Sequence, residues 1–345
     1  MRLSRFVPIL LLLLLPFCKA NGILPTENNS SSQDNLTLSI LLAGFDLQEE
    51  AKRKIGSLPL ASPRSESDSK EKIALGEKIF KDNSLSLNSV QSCSTCHLLT
   101  GRNVGTDGQA TSLGTFGQAG KRNTPTIFNV GFLETIFWDG RKSNLEDQAL
   151  LPFVDSSEMA LGSTSDLLTR LNAKSEYSTL FAKAFPESPS IQLSSVKTSI
   201  SAFERSLISR SRFDDFVDGN PYAISLEEKE GLRLFLNLNC VDCHNSSMLG
   251  GSKFVKLDTI YTYNPNDLGR FEVTGIEADR FVFRTPSLRN VALTQPYFHD
   301  GSVRTLDEAV RRMNEYNSPR MITEREVTLL VAFLKSLSDR SKANF

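Results

Sequence analysis

The apolar positions of this chain fall at helical spacing along most of its length. The first clear stripe begins near Asp68, where Ile73, Gly76 and Phe80 share one face. Helical patterns follow at about 165–184, 191–210 and 225–237. The last two stripes carry start signals. Thr305 with Glu308 opens the stripe of Leu306, Ala309, Val310 and Met313; Thr323 with Glu326 opens Val327, Leu330, Leu334 and Leu337. Each pair has capping-box spacing. No alternating run is long enough to require a sheet, so the pattern predicts an all-α fold.

The N-terminal segment reads differently. Arg2 and Arg5 precede an apolar run from Phe6 to Phe17, too short to span a bilayer, so residues 1–20 are expected to be an export signal. Two cleavage readings stand. Cys18 and Ala20 form a small-x-small site that would release a chain starting at Asn21, and Cys18 could instead be a lipidated anchor. Residues 21–66 are rich in Ser and Asn, with one apolar island at Leu38–Leu42, and read as a tether. The expected location is the periplasm or cell envelope. The 345 residues otherwise suggest two domains, placed at 67–209 and 210–345. Composition, 39% apolar and 23% charged, excludes a wholly disordered chain. The net charge is −1, and −4 once Arg2, Arg5 and Lys19 leave with the signal, so the chain lacks the basic footprint of a nucleic-acid binder.

The two predicted domains repeat one another. Gly76-Glu-Lys-Ile-Phe80 matches Gly231-Leu-Arg-Leu-Phe235, and each precedes a Cys-x-x-Cys-His. Thr124-Pro125 matches Thr285-Pro286, and Phe137-Trp-Asp-Gly140 matches Phe298-His-Asp-Gly301, 13 residues on in both halves. Agreement in order and spacing predicts two copies of one unit, related by internal duplication.

Four of the five cysteines and two of the three histidines lie in Cys93-Ser-Thr-Cys96-His97 and Cys240-Val-Asp-Cys243-His244. This spacing suits covalent haem c: two thiols add to the two vinyl groups, and the adjoining imidazole ligates iron. A zinc ribbon would need its cysteine pairs about 15–20 residues apart, whereas these start 147 apart. Cysteines two residues apart would also close little loop entropy as disulfides. Two haem c groups per chain are therefore expected, with His97 and His244 on the irons.

The opposite face of each iron decides its role. Met313 lies on an apolar stripe and reads equally as a core methionine or as a thioether ligand to the second iron. Residues 98–123 contain six glycines and no His or Met, so they read as a mobile loop that leaves the first iron open. Lys121 is its one nitrogen candidate of note. One open and one closed haem in a single chain imply a redox enzyme.

The stretch from about residue 68 to 338 resembles bacterial di-haem cytochrome c peroxidases. The resemblance rests on Arg122-Asn-Thr-Pro125, Phe137-Trp-Asp-Gly-Arg141, Glu146-Asp-Gln-Ala149, Glu158-Met159, Phe283-Arg-Thr-Pro-Ser-Leu-Arg-Asn290, Pro296-Tyr-Phe-His-Asp-Gly301 and Leu306-Asp-Glu-Ala-Val310. It implies an all-α pair of cytochrome-c-like domains, with a low-potential, peroxide-reacting first haem and a high-potential second haem ligated by Met313. It further implies Glu158 as the distal acid–base group, Gln148 as a distal amide, and Trp138 as an electron bridge between the haems. Asn123, Thr294 and Pro296 would bind an interdomain calcium ion, and His299 would be structural. The implied partners are hydrogen peroxide and a small cytochrome c or cupredoxin donor, and a homodimer is compatible with the pattern.

One departure stands out: Thr115 occupies the loop position where many relatives carry a histidine that blocks the peroxidatic iron. Two rival functions remain at this point. One is a di-haem oxidase resembling the maturation enzyme of methylamine dehydrogenase, which uses a Tyr on the second iron; Tyr316 lies three residues past Met313. The other is a non-enzymatic two-haem electron carrier.

Overall fold

The computed structural model describes residues 46–101, 103–257 and 266–341. The export signal, Cys18 and the island at Leu38–Leu42 lie outside these residues. After a helical segment α1 (46–54) come α2 (Lys70–Lys81), α3 (Cys93–Cys96), α4 (Leu145–Gln148), α5 (Leu151–Val154), α6 (Thr164–Asn172), α7 (Ser175–Ala184) and α8 (Leu193–Ser206). The second half holds α9 (Arg212–Val217), α10 (Leu226–Asn237), α11 (Cys240–Cys243), α12 (Phe271–Thr274), α13 (Leu306–Asn317) and α14 (Glu324–Ser336). Among the described residues its one sheet is a two-stranded antiparallel ribbon, β1 (Phe254–Lys256) against β2 (Val282–Arg284), with Val255 opposite Phe283. Among the described residues no helix is long and apolar enough to cross a membrane.

The expected helix over 165–184 is broken at Ala173–Lys174. Lys174 leaves the helical path to reach Asp82 at 2.7 Å, where the Tyr177 hydroxyl also donates at 2.8 Å. The expected stretch to 210 stops at Ser206, because the Asn129 side chain claims the backbone of Ser209 through bonds of 2.7 and 2.9 Å. At α14 both halves of the Thr323–Glu326 capping box form, and at α13 Thr305 accepts from the Glu308 N–H.

Each half is organised by one crossing of its first and last long helices. A Cβ on Gly76 of α2 would lie 1.9 Å from the Ser199 carbonyl oxygen of α8. A Cβ on Gly231 of α10 would lie 1.9 Å from the Leu329 carbonyl oxygen of α14. Only hydrogen fits at either crossing, which is why the repeated motif begins with glycine. Phe203 and Phe333 sit at corresponding places against these glycines, and Phe80 and Phe235 pack on them at 5.2 Å between ring centres in both halves.

Residues 46–58, which composition placed in the tether, belong to the core of the second half. Leu47, Ala51 and Ile55 bury one face of α1 against Phe213 and Phe216 of α9. A helix this short is not stable alone, so the surface it covers holds it. The Leu58 N–H donates to Asp214 at 2.7 Å, and Arg289 grips the same carboxylate through two bonds of 2.7 and 2.8 Å.

The two halves meet at a reciprocal seam. The Asn123 N–H donates to the His299 carbonyl at 2.7 Å, and the Arg284 N–H donates to the Trp138 carbonyl at 2.7 Å. These four residues are partners in the sequence repeat, 123 with 284 and 138 with 299. Beside the seam, half-buried Arg122 forks onto Asp267 at 2.7 Å through both Nε and Nη2 and reaches Asp139 at 2.5 Å.

Candidate active site

The first attachment motif forms one helical turn, α3, whose cysteines, with two residues between them, lie on the wall of a cavity of about 460 Å3. The same wall carries His97, Trp138, Gln148 and Glu158. Residues up to 65 positions apart in sequence, from Cys93 to Glu158, thus converge on one chamber, within the size range of cofactor sites.

The His97 Nδ1 faces the Gly105 carbonyl at 3.1 Å, and the His244 Nδ1 faces the Leu249 carbonyl at 3.1 Å. A carbonyl only accepts, so Nδ1 carries the proton in each ring and the Nε2 lone pair is left for a metal. Burial lowers both imidazole pKa values, His244 to about 4, which keeps the rings neutral as ligands. The four thiols form no disulfide. Burial raises the pKa of Cys93 and Cys96, and that of Cys240 to about 11, so these free thiols are protonated. Free paired thiols, an adjoining neutral imidazole and a chamber of this size fit covalent haem c.

Glu158 is half-buried, and burial, with the charge of Asp155 adding and that of Arg141 opposing, pushes its pKa up to about 7. A carboxyl poised there exchanges protons in both directions at neutral pH. Gln148 ends α4, half-buried on the same wall. The Trp138 Nε1 donates to the Asn123 carbonyl at 2.9 Å, and its ring stands edge-on to His299 at 6.4 Å, so the indole occupies the seam.

The segment read as a mobile loop is tied down. Gly120 N–H donates to Ser112 at 2.9 Å, Gly114 N–H to Gln118 at 2.8 Å, and Thr115 N–H to the Glu158 carbonyl at 2.8 Å. Thr115 is buried, and its hydroxyl donates to Gln91 at 2.9 Å. It is not among the residues of the chamber wall. Lys121 lines the chamber but is committed to an ion pair with Glu272. Met313 and Tyr316 share a face of α13: the Met313 sulfur accepts from Asn317 at 3.1 Å, while Tyr316 is buried edge-on against Phe298. Asn123 meets the 294–299 segment through its bond to His299.

Two wall residues escaped the sequence reading. Gln91 precedes the attachment motif and is apparent only from its contacts. Glu204 on α8 is buried, and burial, with Glu146 adding, pushes its pKa up to about 8. Aligning Ser201-Ala-Phe-Glu-Arg-Ser-Leu207 with Val331-Ala-Phe-Leu-Lys-Ser-Leu337 would have exposed it, since the second half has Leu334 there.

Fold and site together define a two-domain c-type haem protein. Comparison with known proteins agrees. A family model for di-haem cytochrome c peroxidase matches residues 70–221, and one for cytochrome c matches residues 228–338. The chain is 39% identical to cytochrome c551 peroxidase of Nitrosomonas europaea, covering 76% of this chain and 79% of that one. It is 33% identical to the methylamine utilization protein MauG of Methylophilus methylotrophus, covering 81% and 84%. The crystal structure of a MauG-like protein associated with microbial copper homeostasis superposes with a TM-score of 0.72, at 31% identity, covering 83% of this chain and 95% of that one. The chain belongs to the di-haem cytochrome c peroxidase family and is an oxidoreductase of that class carrying two haem c groups.

A pyridine haemochrome assay on the purified protein should give two c-type haems per chain. One haem, or stoichiometric zinc by elemental analysis, would overturn the assignment of the two motifs.

Proposed function

We propose that this protein reduces hydrogen peroxide to two waters, taking up two electrons and two protons, in the periplasm or cell envelope. The observation that carries the reading is the convergence of His97, Gln148 and Glu158 on one chamber, with Glu158 poised near neutrality. Cys93, Cys96 and His97 would hold the first haem, which would supply the redox chemistry for peroxide reduction. Glu158 accepts the proton of the inner peroxide oxygen and delivers it to the outer one, so that water departs. The Gln148 amide orients the peroxide. A small cytochrome c or cupredoxin would donate electrons near the second site, where Cys240, Cys243, His244 and Met313 would hold the second haem, and Trp138 would bridge the two sites. Asn123, with the backbone carbonyls of Thr294 and Pro296, would hold calcium at the seam, an all-oxygen set suited to that ion.

The first site should be ready without prior reduction. Thr115 is turned to Gln91 and Lys121 to Glu272, so neither supplies a sixth ligand. Electron paramagnetic resonance of the oxidised protein should show a high-spin ferric component, and peroxide should react without half-reduction. Two low-spin signals and no activity until half-reduction would refute this. Thr115→His should shift the resting signal toward low spin and make activity depend on pre-reduction.

A second reading, oxidation of an organic or protein substrate, is favoured by the burial of Tyr316 beside the half-buried Met313. Loss of the thioether-to-iron absorption band in Met313→Leu, but not in Tyr316→Phe, would decide for the peroxidase.

A further inference from the structure

Behind Glu158 lies a set of bonds that runs from the haem-attachment motif to the main chain of this acid. Gln91 is 5% exposed and lies two residues before Cys93. Its Nε2 donates to the Leu113 carbonyl at 2.8 Å and lies 3.7 Å from the Cys96 sulfur. Its Oε1 accepts the Thr115 hydroxyl at 2.9 Å. Its own N–H donates to the buried Ser86 hydroxyl at 3.1 Å, so the residue is held at both ends.

The loop gripped in this way carries Glu158. Thr115 N–H donates to the Glu158 carbonyl at 2.8 Å, and the Gln118 amide donates to the Ser156 carbonyl. A Cβ on Gly114 would lie 2.2 Å from the Ser157 carbonyl oxygen, so the two backbones are in direct contact. Asn88 supports the same loop by donating to the Thr115 carbonyl at 2.8 Å, and Leu87 N–H donates to the Met159 carbonyl at 2.9 Å.

We propose that Gln91 is a positioning residue, whose carboxamide couples the Cys96 attachment point to the 112–120 loop and thereby sets the distance between the Glu158 carboxyl and the haem-bearing wall. The proposal rests on the reading of Glu158 as the acid–base group. Its physical basis is the steep dependence of proton transfer on geometry, where a displacement of about 1 Å costs about 10²-fold. Without Gln91, the Leu113 carbonyl and the Thr115 hydroxyl lose buried partners, and the loop must shift to find others.

The test compares Gln91→Leu, Thr115→Val and Thr115→Ser, each alone and in a Glu158→Gln background, on the haem-loaded protein. Gln91→Leu and Thr115→Val should keep both haems and lower kcat by about 10- to 100-fold with KM for the donor unchanged. Thr115→Ser, which keeps the hydroxyl, should recover most of the loss. A readout separate from turnover is the rate of cyanide binding to the oxidised protein. Cyanide arrives as HCN and must give its proton to a distal base, so this rate should fall with kcat. In the Glu158→Gln background the same substitutions should change either rate less than about twofold, because they act through Glu158. Should Gln91→Leu fail to mature, Thr115→Val removes a single hydrogen bond and carries the test. Normal kcat and cyanide binding in Thr115→Val, or equal losses with and without Glu158, would overturn the proposal while leaving the peroxidase reading in place. Near-normal turnover of Glu158→Gln alone would instead remove the acid–base assignment on which it rests.

Discussion

Replacing Glu158 with glutamine should lower peroxide turnover by about 10²- to 10⁴-fold while both haems and the resting spectrum are retained. That span corresponds to about 3–5 kcal/mol of transition-state stabilisation. Glutamine fills the same volume on the chamber wall but cannot take a proton from the inner peroxide oxygen. The pH dependence follows from the raised pKa. Below about pH 7 the carboxyl is protonated and cannot act as the base; above it the carboxylate can. The kcat/KM of the native protein should therefore rise with pH through about 7, and the glutamine variant should lack that limb. Stopped-flow mixing with peroxide across this range measures both effects. Turnover near normal, or an unchanged limb in the variant, would exclude Glu158 from the proton path.

The largest expected effect on stability is at Asp214, wholly buried and gripped by Arg289, which is itself 2% exposed. Asp214→Ala leaves the Arg289 guanidinium buried without its counterion and removes the acceptor for the Leu58 N–H at 2.7 Å and the Ser211 N–H at 2.7 Å. Breaking a buried pair from one side costs about 3–5 kcal/mol. The effect has a pH signature. Burial works to raise the Asp214 pKa, but Arg289 and the backbone donors outweigh it, so the folded value lies below the ordinary one. The pair therefore stabilises the fold above about pH 4 and loses that contribution as pH falls through the depressed value. Urea denaturation followed by helical circular dichroism should show the native protein losing stability on acidification more steeply than the variant. A loss under about 1 kcal/mol at neutral pH would mean that Arg289 finds another partner. Because Asp214 also holds Leu58, the segment 46–58 should become protease-sensitive in the variant.

The attachment motifs were legible because the chemistry of thioether formation demands contiguous residues: two cysteines, a fixed gap and a histidine leave no freedom for tertiary structure to rearrange. The helices were legible wherever an apolar stripe faced a single neighbour, as in α2, α10 and α14. Boundaries failed where a side chain from elsewhere intervened. Asp82 draws Lys174 out of a helix, and Asn129 claims the Ser209 backbone. The stripe of Leu47, Ala51 and Ile55 has clean spacing of four, yet it sits in a segment whose composition reads as a tether, and its partner surface lies more than 150 residues away.

The sequence alone thus determined the cofactor class, the predominance of helix and the paired organisation of the chain, since each depends on local spacing or on motifs repeated in order. Tertiary structure decided the rest. The loop of residues 98–123 is rich in glycine and reads as free, but its Gly114 contact with Ser157 and its bonds to Gln91 and Glu158 are visible only once distant segments are brought together. The pKa of Glu158 was likewise not legible in the sequence, because burial in the chamber wall is the largest influence moving it toward neutrality, with the charge of Asp155 only adding to it.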